Sequence, residues 1–332
     1  MSWPRSSSGC PLAANRPVGS APEAGDINRG GLTRVDVVSE TTSTTGRRKG
    51  PHQVEGCARR DMRFARVDGV DLLARVYRPV VRDMAHCAIW PVVVHAVGGG
   101  WMAGGRLHDV ELHSQLAAAG VVSVVPDLRS GLGHRHPAAA TDFERVLRWV
   151  HEQADELHID RSAVVVAGSW SGAHAALTAV LTSRTLRRLG VPASLVMRWP
   201  TIDPLTVLRR GEQPARTLDP TPPAISSVID ASAADYFGEP ERMRRAGVPE
   251  LVFDGAAVQL PTMWITRSDH EPFAPGDAVD ELVFAWRRGG GRALAFDTVG
   301  FSAEQVNDAT RVALTEAARR CLEPNYREVV EA

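Results

Sequence analysis

Val164-Val-Val-Ala-Gly-Ser-Trp-Ser-Gly-Ala-His174 decides how the rest of the chain is read. Its first four residues are a short apolar, β-branched run, and its last residues suit the opening of a helix. Gly168 and Gly172 stand two residues either side of Trp170. That is the spacing of a G-x-S-x-G turn, in which small residues let a strained strand-to-helix bend lift one side chain above a sheet. Here the raised side chain is an indole, which carries a donor N–H and no nucleophilic oxygen. The pattern predicts the turn without its usual chemistry.

Outward from this turn, β-type and helical runs alternate. Strands are expected at 92–96, 121–126, 163–167, 195–199, 262–266 and 293–296, with helical sequence between them. Such alternation predicts an α/β fold with a mostly parallel sheet covered on both faces. Thr141-Asp-Phe-Glu144 has the pattern of a capping box, so a helix is expected to open there with Phe143, Val146, Leu147 and Val150 on one face. The two β-type runs within 63–79 flank Asp68-Gly69 and predict a hairpin.

Residues 1–60 are rich in Ser, Gly, Pro, Thr and Arg without a periodic apolar pattern, the composition of a disordered segment. A start of the chain at Met62 is an equal reading of the same stretch. Residues 61–325 are then the folded domain and 326–332 a tail. Residues 201–258 interrupt the alternation with Pro-rich, charged and short helical sequence. They are expected to form a cap over the C-terminal edge of the sheet, where such folds bind ligands.

A net charge of -1 offers no field for nucleic acid or an anionic membrane. Lys49 is the only lysine among 38 basic residues, and nothing mechanistic follows from that. Cys10, Cys57, Cys87 and Cys321 lack C-x-x-C spacing, so neither a zinc site nor a disulfide framework is expected, and reduced thiols fit a cytoplasmic location. No run reaches the roughly 18 apolar residues of a membrane span, and no signal-peptide apolar region follows the first charges. No metal or cofactor is expected, the oligomeric state is left open, and a hydrophobic small molecule is the expected partner.

Several landmarks in order resemble the hormone-sensitive-lipase-like, carboxylesterase-containing branch of the α/β hydrolases, over roughly residues 63–322. Val92-Val-Val-His-Ala-Val-Gly-Gly-Gly-Trp-Met-Ala-Gly104 is similar to the family's strand and H-G-G-G-W oxyanion loop, with Val97 at the histidine. Asp127-Leu-Arg129 resembles D-Y-R, and Pro137-Ala-Ala-Ala-Thr-Asp142 resembles P-A-A-x-x-D. The run from Leu260 to Phe273 resembles an L-P-P strand leading into D-P-L.

The resemblance implies an α/β-hydrolase fold and a role for each matching position. Glu271 matches the triad acid, Gly98 and Gly99 the oxyanion-hole donors with the Ser171 amide beside them, Trp170 the nucleophile, and Val299 the catalytic histidine. No histidine follows His270, so the base is not recovered nearby. Acyl transfer by a triad needs a hydroxyl, a base and a group orienting that base. The resemblance therefore implies a protein that, if an enzyme, is not a conventional serine hydrolase.

Histidine to Val97, serine to Trp170 and histidine to Val299 each exchange a polar group for an apolar one, which suggests an apolar pocket kept for use. Trp170, Trp101, Val97 and Val299 are its expected ligand contacts, and two indoles would suit an aromatic or polyene-like ligand. Three readings stand. One is non-hydrolytic catalysis such as cyclisation, isomerisation or elimination on a hydrophobic metabolite, with Glu271 as base. Another is a non-catalytic binding protein or receptor. The third is a rewired carboxylesterase in which Ser171 is the nucleophile.

The histidines have plainer readings. His95 is expected as a core histidine with a local hydrogen bond, and His174 as a residue orienting neighbouring backbone. His134 and His136 are expected near the mouth of the site. His108 and His113, five apart, do not share a helix face, which argues against a metal pair.

Overall fold

A computed structural model of the chain describes residues 54–81, 89–131, 133–190, 192–211, 223–254, 259–267, 276–298 and 302–322. The expected disordered segment up to residue 53, the tail, Glu271 and Val299 lie outside the described residues.

The strands are β1 (Val54–Val67), β2 (Val70–Val81), β3 (Trp90–Gly99), β4 (Ala103–Gly104), β5 (Val122–Pro126), β6 (Ile159–Trp170), β7 (Ser194–Pro200), β8 (Thr262–Arg267) and β9 (Ala293–Asp297). The helices are α1 (Val110–Ala118), α2 (Ala138–Glu152), α3 (Ala154–Leu157), α4 (Ser171–Thr182), α5 (Arg184–Leu189), α6 (Pro204–Gly211), α7 (Pro223–Phe237), α8 (Pro240–Arg245), α9 (Val248–Asp254), α10 (Gly276–Arg288) and α11 (Ala303–Arg320). The sheet runs β1-β2-β5-β3-β6-β7-β8-β9, with β4 paired to β3 at the side. The β1-β2 and β2-β5 pairs are antiparallel, and from β5 to β9 the pairing is parallel.

The hairpin turns at Asp68 and Gly69, both at positive φ (50° and 82°), as a two-residue turn between twisted strands requires. Its first strand starts earlier than the sequence pattern shows. Residues 54–60, expected in the unpatterned segment, pair with β2.

Strand alternation distributes the core. Val93, Val165, Ala167 and Val196 face Leu112 and Leu116 of α1 and Leu314, Ala317 and Ala318 of α11. Val92, Val94, Val164 and Val166 point the other way and are as deeply buried, so both faces are covered. On that second face a Cβ added to Gly168 would lie 2.5 Å from the Cα of Ala173 in α4.

Phe143, Val146, Leu147 and Val150 are fully buried on one side of α2, as the pattern predicts. The helix opens at Ala138, however, one turn before the expected capping box. Asp142 does not cap it. Its buried carboxylate accepts from the Arg129 backbone N–H at 3.0 Å, from the Arg129 guanidinium at 2.9 and 3.0 Å, and from Arg145 at 2.7 Å. A capping box does form at Ser302 and Gln305, opening α11.

Between β7 and β8 the chain forms α6, α7, α8 and α9. Val207, Ile229, Ala233, Tyr236, Phe237, Met243 and Ala246 from this insertion cluster with Trp101, Ala139 and Ala175. Among the described residues, no helix is long and apolar enough to cross a membrane.

Candidate functional site

β6 ends and α4 begins at a single residue, Trp170, whose backbone sits at φ 46°, ψ −129°. A bulky residue there is a strained outlier, costing about 1–3 kcal/mol. Packing shows why its neighbours are small. A Cβ on Gly172 would stand 2.2 Å from the Ala96 carbonyl oxygen, and one on Gly98 would stand 2.1 Å from the Gly172 nitrogen. The Trp170 carbonyl accepts from the Thr201 N–H at 3.1 Å, which ties the turn to the end of β7.

The half-buried Trp170 ring lies beside Trp199, with centroids 5.6 Å apart and planes 36° apart. The Arg198 guanidinium carbon sits 5.3 Å from the Trp170 ring centroid and 5.7 Å from that of Trp199. Arg198 is 2% exposed. It donates to the Asp109 carboxylate and to the Asn307 side-chain oxygen, which anchors it between the start of α1 and α11, while its Nε–H has no partner among the described residues.

Behind this layer runs a buried polar chain. The Ser169 hydroxyl is 3.0 Å from His95 Nε2, His95 Nδ1 is 3.2 Å from His113 Nε2, and His113 Nδ1 is 3.1 Å from the Ser123 hydroxyl. Burial holds both histidines well below the usual imidazole range, and the Arg198 charge pushes His95 the same way. For His113, burial is followed by the nearby His95 as a depressing influence, and Asp109 opposes them. These rings are neutral spacers, with His95 the core histidine expected of it.

The glycine loop folds back as a tight β3-β4 pair, Gly98 opposite Gly104 and Gly99 opposite Ala103. It rests on the start of α4, where the Ser171 hydroxyl accepts from the Trp101 N–H at 3.2 Å. Ser171 is 5% exposed. The fold thus brings Gly98, Ser171 and Trp170 together at one turn.

Val97 and Trp101, two of the expected ligand contacts, are buried against other side chains. Val97 is 3% exposed and packs with Tyr77, Ala117 and Val125, because it shares strand parity with Val93 and His95. Trp101 is 2% exposed and packs against His174 and Phe237, at 6.2 and 5.2 Å. The ring beside Trp170 is Trp199.

His174 Nε2–H donates to the Ala246 carbonyl at 2.8 Å, a backbone-orienting role. Burial lowers its pKa to about 4, partly opposed by that bond. His136 packs on Phe237 at 5.0 Å, and burial together with His174 lowers its pKa to about 3. Among the described residues no cluster of His, Cys, Asp and Glu could hold a metal ion.

Sequence reasoning missed Arg198 and Trp199. One signal was available: Arg198 is the only charge in Ser-Leu-Val-Met-Arg-Trp-Pro, a strand buried on both faces.

A family model described as alpha/beta hydrolase fold matches residues 92–279. The chain is 30% identical over 247 residues to the carboxylesterase NlhH of Mycobacterium tuberculosis, covering 73% of this chain and 74% of that protein. Its fold is similar to that of EstE1, a thermostable carboxylesterase from a metagenomic library, with a TM-score of 0.63, 24% identity, and coverage of 83% of this chain and 92% of that one. It is also similar in fold to a vibralactone cyclase, with a TM-score of 0.63, 13% identity, and coverage of 82% and 83%.

Proposed function

The chain belongs to the α/β-hydrolase family, with carboxylesterase relatives, and from that premise we propose that it acts non-hydrolytically on a hydrophobic small molecule. One observation carries the reading. The residue at the strained elbow is Trp170, and its ring is seated beside Trp199 and Arg198.

An apolar pocket above this turn would hold a ligand in a reactive conformer. The amides of Gly98, Gly99 and Ser171 would polarise a ligand carbonyl, and Glu271 would take or return the proton. Cyclisation, isomerisation and elimination need no nucleophilic hydroxyl. The vibralactone cyclase shares this fold, so cyclisation is a chemistry the scaffold hosts.

The Ser171 route to hydrolysis has little support in the geometry, since that hydroxyl is buried and engaged by the Trp101 N–H. The binding-protein reading has one observation in its favour. Each histidine near the elbow with a shifted pKa is held below its ordinary value, so none is poised to move a proton near neutral pH.

Mass spectrometry separates the readings. Incubation with a panel of hydrophobic carbonyl metabolites should give products of unchanged mass, or products that have lost a small neutral molecule. These should vanish in Glu271→Gln with ligand affinity retained. Cleavage into an acid and an alcohol whose masses sum to the substrate plus one water, or a ring-opened lactone heavier by one water, lost in Ser171→Ala, would establish hydrolysis instead. Binding with no product from any compound would leave the receptor reading.

A further inference from the structure

We infer that Trp170 and Trp199 form a two-indole platform that selects a flat, uncharged, conjugated group on the ligand, with Trp199 a specificity-determining contact. This rests on the reading of the elbow as an apolar ligand site.

Three independent features meet here. First, β6 and β7 are adjacent parallel strands, and each places a tryptophan at positive φ near its C-terminal end, 46° at Trp170 and 45° at Trp199. Large side chains rarely adopt that region, and such strain persists where the surroundings enforce it and tends to cluster at functional sites. The enforcement is visible. The Trp199 N–H donates to the Thr266 hydroxyl at 2.7 Å, and the Trp170 carbonyl accepts from Thr201.

Second, both rings are half-buried, whereas Trp101 and Trp286 are almost fully buried. Trp101 shares the positive φ, at 59°, yet is buried, so it is the exposure that sets Trp170 and Trp199 apart from a core-filling indole. Third, Arg198 lies against both rings and is fixed by Asp109 and Asn307.

The cation also restricts the ligand class. An aromatic site for a quaternary ammonium works through the negative faces of its rings. Arg198 already draws on both indoles, so a second cation gains little there and meets like charge. Offset stacking of a neutral π-system keeps its favourable dispersion and quadrupole terms. A saturated ring of the same size lacks the latter.

Calorimetric titration of the full chain with 1-naphthol, decahydro-1-naphthol and (1-naphthylmethyl)trimethylammonium tests this. The expected result is 1-naphthol binding about tenfold more tightly than either of the others. Trp199→Leu should remove that preference, and Trp199→Phe should keep it. Equal wild-type affinity for the two neutral probes would overturn the platform while leaving the apolar site intact. So would a parallel loss for both in Trp199→Leu. Binding of none of the three would overturn the site reading and the platform together. The wild-type preference alone decides the matter if the leucine variant fails to fold.

Discussion

A Cβ placed on Gly172 would lie 2.2 Å from the carbonyl oxygen of Ala96, so the elbow and β3 meet backbone to backbone. Neither partner can yield as a flexible side chain would. Gly172→Ala should therefore cost about 3 kcal/mol of stability through forced backbone movement. Gly190→Ala is the control: Gly190 sits at φ 66° with nothing near its absent Cβ, so only the left-handed conformation is penalised, at about 1 kcal/mol. Urea unfolding of the two variants compares them, and equal losses would contradict the packing argument.

Trp170→Ser returns a hydroxyl to the elbow without returning a base. Turnover of p-nitrophenyl esters should stay at the wild-type background. Adding Val299→His should raise it by about 100-fold or more, the usual contribution of a positioned base. Full activity in the single variant would mean that another group already supplies the base.

Arg198 holds together parts of the chain far apart in sequence: Asp109 before α1, Asn307 in α11, and the two indoles. Arg198→Met should cost about 3 kcal/mol, because the Asp109 carboxylate loses its buried partner. The same change should raise the pKa of His95, since the guanidinium charge is one of the two influences depressing it. Histidine titration by NMR reads that shift, and an unmoved or lowered value would contradict the arrangement.

The buried imidazoles fix a pH dependence. His95, His113, His136 and His174 are all held below the ordinary value of 6.5 in the folded chain. The unfolded chain therefore binds more protons as pH falls below about 6.5, and stability drops with it by up to about 1.4 kcal/mol per pH unit for each histidine. For His174 the loss continues to about pH 4, and for His136 to about pH 3. Melting curves between pH 7.5 and 5 should show a steep decline that is shallower in His174→Asn. A flat profile would mean that these rings are charged or exposed.

Much of the fold was legible because buried parallel strands are short apolar runs, and each expected run is a strand in the sheet. Residues 54–60 were not, because an edge strand with a register shift between Val54 and Gly56 carries only a weak pattern. The Thr141-Asp-Phe-Glu144 motif misplaced a helix start because Thr141 lies inside α2, where its hydroxyl donates back to the Pro137 carbonyl at 3.1 Å instead of capping.

In the site, Trp170 was legible from its glycines. The inward turn of Val97 was also available, since a period of two already places it with Val93 and His95. The pairing of β6 with β7, which sets Trp170 opposite Pro200, brings Trp199 beside Trp170, and neither that register nor the positive φ of Trp199 leaves a mark in sequence. The distance between Trp101 and Trp170 along the chain says nothing about which ring the sheet places next to the elbow.

Stopped-flow hydrolysis of p-nitrophenyl butyrate by the wild-type chain reads out whether the Trp170 elbow lacks acyl-transfer chemistry. An elbow of this kind gives no acyl-enzyme burst and no saturable turnover above buffer. A burst stoichiometric with protein and abolished in Ser171→Ala would contradict it.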